Sequence, residues 1–161
     1  MRRAAGGASL GHLATVTGMR LVVLLGVALP LAAADLAYKA SVPTEWWAYH
    51  QRSAGWLALC LALFVATMSL ARIPSVAVPP AAGLLAAGVI GNATSAAWND
   101  LRVPNPIVLR GDHVVLAFNV ADICALLGIL TLVVTLSAWL VRNRAVLPAP
   151  RDLVRSRAPR G

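Results

Sequence analysis

Residues 114–141 read VVLAFNVADICALLGILTLVVTLSAWLV, an apolar stretch with an amide and an acid, Asn119 and Asp122, near its start. Roughly 20 apolar residues cross a bilayer core as a helix at about 1.5 Å per residue. The stretch therefore predicts a transmembrane helix from Val114 to Val141, long enough to tilt or to begin outside the hydrocarbon. Working outward, three more apolar runs appear: Leu21 to about Ala37, Ala54 to Ala71 between Arg52 and Arg72, and about Val76 to Trp98. The third run carries Pro79 and Pro80 in its first turn, where a missing amide hydrogen costs little. The expected fold class is an all-α integral membrane protein of four transmembrane helices. It divides into a flank over 1–20, a membrane domain over 21–141 and a basic, disordered tail over 142–161.

Composition agrees. Of 161 residues, 59% are hydrophobic and 12% charged, too little polar material to cover a soluble domain of this length. The formal charge of +8 raises nucleic acid as a partner, but the positions of the basic residues argue against it. Arg2, Arg3 and Arg20 precede the first run, and Arg142, Arg144, Arg151, Arg155, Arg157 and Arg160 follow the last. No aromatic residue interleaves with them to stack on bases, so they read as orientation signals that also meet anionic membrane lipids. With both termini cytoplasmic, the inner flanks hold these arginines and Arg72. The outer loops keep only Lys39, Arg52, Arg102 and Arg110, beside the interfacial aromatics Trp46, Trp47, Tyr49 and Trp98. Cys60 and Cys124 lie inside apolar runs and read as small hydrophobes. His12, His50 and His113 are scattered, so neither a metal nor a cofactor is expected.

Ionisable groups inside apolar runs cost a few kcal/mol near a bilayer centre and so call for a reason. Asp35 and Lys39 close the first run four residues apart, on one helical face, as an interfacial ion pair or as part of a site. Asn119 stands one turn before Asp122, where a helix-capping role competes with a functional one. Gly91-Asn92 ends the small-residue stretch Ala81–Gly91, of a kind that packs helices tightly in lipid. Were these matches accidental, Asn92, Asn119 and Asp122 would not cluster.

Taken together, Asp35-Leu-Ala-Tyr-Lys39, Gly91-Asn92 and Phe118-Asn119-Val120-Ala121-Asp122 with Gly128 resemble the prolipoprotein signal peptidase family, signal peptidase II, over about residues 20–141. The resemblance implies four spans with both ends cytoplasmic in the bacterial plasma membrane. It also implies an aspartic endopeptidase that needs no cofactor and removes signal peptides from lipid-modified prolipoproteins. Two carboxylates sharing a proton would carry that chemistry. Asp122 matches the second of them. The first is expected three residues after the Asn of Gly-Asn, where this chain has Ser95, and the following Arg is replaced by Ala96. His50-Gln51-Arg52-Ser53-Ala54-Gly55 stands where the family has Asn-x-Gly-Ala-Ala-Phe. A helix broken after Asn92 would let Asp100 stand in for the missing first carboxylate, with Arg102 in place of the absent Arg. Around Asp122 the resemblance implies site support or substrate binding by Asn92, Ser95, Asn119, Asp35 and Lys39. The alternative is a catalytically inactive relative that binds lipoproteins, lipid or a membrane partner in the same outer cavity.

Overall fold

A computed structural model describes residues 5–145, with side chains from 14 onward. The tail expected to be disordered lies largely outside the described residues. Four helices, α1 (Ala5–Ser41), α2 (Ala54–Ser69), α3 (Val78–Trp98) and α4 (Val120–Asn143), are joined by four short strands. The strands are β1 (Tyr49–Gln51), β2 (Arg102–Pro104), β3 (Ile107–Arg110) and β4 (Val115–Phe118). All four helices are long and apolar enough to cross a membrane, α2 together with the 3₁₀ turn Leu70–Arg72 that extends it.

The middle of the bundle is α3. Two thirds of its apolar window (67%) is buried, against 22% or less in each of the other three helices, so α3 is the helix the others pack around. Its sequence explains this, because a helix built largely of alanine and glycine lets neighbouring backbones approach closely. A Cβ on Gly88 would stand 2.5 Å from the Ala121 carbonyl of α4, and one on Gly128 would overlap the Leu85 backbone. The outward faces of α2 and α4 are correspondingly apolar and exposed, with Leu59, Leu61, Val65, Leu130, Val133 and Val134 among the residues turned out.

The strands gather at one end of the bundle. β1 pairs antiparallel with β2, and β3 with β4, as two separate two-stranded ribbons. The helix expected from Val114 therefore begins at Val120. Residues 115–118 hydrogen-bond instead to 107–110, and Asn119 ends the strand in extended backbone while capping α4. The expectation of purely helical structure is corrected accordingly: the strands are few, but they form the roof over the polar end.

Asp100 also departs from expectation. The helix does not break after Asn92 but continues to Trp98, and the Leu101 amide then bonds back to the Ala96 carbonyl at 2.8 Å. That is a left-handed C-terminal cap of the Schellman type, with Asp100 at φ 50°. Asparagine and aspartate tolerate this conformation better than most residues.

Candidate functional site

The strand end holds a continuous chain of polar side chains drawn from α1, α3, α4 and the roof. At its base, Asp35 is fully buried. Its Oδ2 meets the Lys39 ammonium at 2.7 Å, and its Oδ1 accepts the Ala121 amide at 2.8 Å. Ala121 lies in the first turn of α4, where amide hydrogens lack helical partners and the helix dipole favours negative charge. The carboxylate thus links one ammonium to one helix start. Gly91 makes room for it, since a Cβ there would come within 2.7 Å of Oδ2.

Lys39 donates onward to Asn92 Oδ1 at 2.9 Å, and Asn92 Nδ2 donates to Asp122 Oδ1 at 2.8 Å. An amide can face a cation with its oxygen and an anion with its nitrogen, which fixes the orientation of Asn92. Asp122 then forms a reciprocal capping box with Asn119. Asn119 Oδ1 accepts the Asp122 amide at 2.9 Å, and Asp122 Oδ2 accepts the Asn119 amide at 3.2 Å.

From here the direction of each bond follows from the one before. Because Asn119 Oδ1 is taken by a backbone donor, its Nδ2 must donate, and it does so to Asn105 Oδ1 and the Pro104 carbonyl. Asn105 Nδ2 is left facing His50 Nδ1 at 3.0 Å and the Ala117 carbonyl at 3.4 Å. His50 therefore accepts through Nδ1, the tautomer with its proton on Nε2. Asn105 is fully buried, and its own amide bonds to the Ala48 carbonyl, tying the β2–β3 link to the roof.

Sequence-predicted residues divide clearly. Asp35, Lys39, Asn92, Asn119 and Asp122 come together in one network. Ser95 lies one turn beyond Asn92, 3% exposed, and its hydroxyl has no hydrogen-bond partner among the described residues. Asp100 does not join the cluster. It is exposed, its backbone carbonyl accepts Gln51 Nε2, and its carboxylate makes no bond among the described residues. Arg102 likewise turns to Gln51 rather than to Asp122.

Two members of the network, Asn105 and His50, escape a reading of the sequence. Asn105 sits between two prolines, a context that reads as a turn, and nothing local marks it as a partner of Asn119.

Beside the network, between α1, α3 and the roof, lies a cavity of about 250 Å³ lined by Lys39 and Ser95 together with Leu36, Tyr49 and Trp98. Among the described residues no group of histidine, cysteine, aspartate and glutamate could hold a metal ion. Chemically, the cluster offers one half-buried carboxylate, Asp122, steadied by amide donors, and one buried carboxylate, Asp35, committed to an ammonium and a helix start.

No family model matches the chain, and no match emerged among curated proteins or solved structures.

Proposed function

We propose that this chain is a multi-pass protein of the bacterial plasma membrane, built like a prolipoprotein signal peptidase, that binds lipid-modified prolipoprotein signal peptides without cutting them. The observation that carries the reading is the company Asp122 keeps: its carboxylate is bonded by Asn92 and Asn119, and among the described residues no second carboxylate is bonded to it. Aspartic proteolysis depends on such sharing, one group activating water while the other donates to the scissile carbonyl. A serine hydroxyl at position 95 stays protonated and cannot take that part. Asp100, the other acid considered for the role, faces outward from a capped helix end.

Placement in the membrane is supported by the four apolar helices and by the exposed apolar faces of α2 and α4, which lipid would cover. An inside location for both termini is supported by charge: Arg20, Arg72, Arg142 and Arg144 gather at the end opposite the strands. The polar network then faces the outer leaflet, where an exported signal peptide ends. In this reading Asp122 accepts a backbone amide of the bound peptide, and Asn92 and Asn119 hold it in position.

The test is equilibrium binding of a diacylglyceryl-modified lipobox peptide to the purified protein in lipid nanodiscs. Saturable binding is expected, at least tenfold tighter than for the same peptide without lipid, and weaker for Asp122→Asn. Absence of saturable binding would sink the reading.

A further inference from the structure

We propose that the groove between α3 and α4, at the end of the bundle opposite the strands, binds a membrane phospholipid with an anionic headgroup, its phosphate held by Arg142. The proposal rests on the membrane placement above and on nothing about the peptide.

Charge decides the occupant. Every acidic residue among the described ones, Asp35, Glu45, Asp100, Asp112 and Asp122, lies in the strand end. Arg20, Arg72, Arg142 and Arg144 lie at the other end, where no described carboxylate is present to pair with them. A guanidinium stays charged at any ordinary pH, and its planar fork matches two phosphate oxygens. A headgroup that carries its own ammonium would find no carboxylate here, whereas a net negative one meets only positive charge.

The groove supplies the shape. It holds about 580 Å³ between the Pro74–Ala77 link and α4, within the range of about 300–1,000 Å³ that small-molecule sites occupy. On α4 its wall is Thr135, Ala138, Trp139 and Arg142, three, four and seven residues on from the first and therefore one stripe of a helix. The stripe runs about 10 Å along the axis at about 1.5 Å per residue. Its deep end is apolar, with Val134 beside it and the Thr135 hydroxyl spent on the Thr131 carbonyl. Then come a tryptophan and a guanidinium, the order in which a phospholipid presents acyl chain, glycerol backbone and phosphate. Trp139 is half-buried and donates through Nε1 to the Pro74 carbonyl at 3.3 Å, which holds the link against α4 at the depth tryptophan favours. Across the groove, Ser75 accepts the Ala77 amide at 3.3 Å, and its own hydrogen bonds to no acceptor among the described residues. A second donor therefore lines the groove with Arg142.

Trp139 is also a built-in reporter, because Trp46, Trp47, Trp56 and Trp98 lie at the strand end of the molecule. The full chain, with those four replaced by phenylalanine, is reconstituted in phosphatidylcholine nanodiscs. These contain a rising fraction of either phosphatidylglycerol or phosphatidylcholine brominated at the top of its acyl chains. Half-maximal quenching of Trp139 is expected at about a five- to tenfold lower fraction of the anionic lipid, the worth of one arginine near an anionic headgroup. Arg142→Gln should bring that ratio close to one. Arg72→Gln removes the same charge from a different groove, between α1 and α2, and should leave the ratio as it was. Native mass spectrometry of the chain with all five tryptophans gives the same comparison without the replacements: retained phosphatidylglycerol, lost with Arg142→Gln and kept with Arg72→Gln.

Equal quenching by the two lipids in the chain with Arg142 intact would overturn the site. So would equal losses in Arg142→Gln and Arg72→Gln, which would reduce the preference to a general attraction of the basic end. Trp139 shielded from both lipids in a dimer would hand the groove to a second copy of the chain. Shielded in a monomer, it would remove this end from lipid and overturn the membrane placement together with the site.

Discussion

The two halves of α3 meet their neighbours in opposite ways. Toward the end away from the strands, Gly83 meets α1 and Leu85 meets Gly128 of α4 so closely that a single methyl on either glycine would collide. Toward the strands, Asn92 meets the same two helices through directed polar bonds to Lys39 and Asp122. The first half is specified by volume and is indifferent to chemistry; the second is specified by chemistry. In lipid this division is sensible, since close packing of small residues and interhelical hydrogen bonds are the two forces left when helices gain nothing by leaving water.

The largest effect expected from breaking the polar half comes from Lys39→Met, which strands the buried Asp35 carboxylate without its ammonium. Removing one partner of a buried ion pair costs about 3–5 kcal/mol, and the double variant Asp35→Asn, Lys39→Met should recover much of it. Thermal unfolding in detergent micelles checks both; a Lys39→Met protein as stable as the original would remove the ion pair from the account.

In the packed half, Gly83→Val should cost about 1–3 kcal/mol by overpacking against Leu24 and Val27, while leaving ligand preference untouched among molecules that still fold. The same melting experiment reads it. A Gly83→Val variant that melts normally but loses peptide binding would show that the two halves are not separable in the way described.

Smaller again is Asn119→Ala. Loss of an N-cap asparagine costs about 0.5–2 kcal/mol, and here it also leaves Asn105 without its donor. Hydrogen exchange at the first turn of α4 should rise first. At the small end, Asp100→Asn should change both stability and binding by less than about 0.5 kcal/mol, since the side chain is exposed and bonded to nothing described. A large effect there would restore Asp100 to the site.

Much of the bundle was legible because hydropathy and length are local properties: the second and third helices begin within two residues of where their apolar runs do. The pairing of Asp35 with Lys39 was equally local, a matter of four residues on one helical face. What hid was non-local. Val115–Phe118 is as apolar as the helix that follows it, so hydropathy runs straight through the boundary. Only Asn119, a good N-cap three residues before an acid, marks the true start, and the strand depends on a partner at 107–110. Asp100 misled for a related reason: counting residues along α3 could not foresee a left-handed cap that turns the acid away from Asp122. Asn105 and His50 enter the network through tertiary contacts across 14 and 55 residues of sequence, which no spacing rule announces.

The central claim is that Asp122 works without a second shared carboxylate, and mass spectrometry of a diacylglyceryl-modified lipobox peptide incubated with the purified protein addresses it most directly. The account predicts that the peptide binds and remains intact. A product cut just before the lipid-modified cysteine, formed by the unmutated chain and absent with Asp122→Asn, would contradict it.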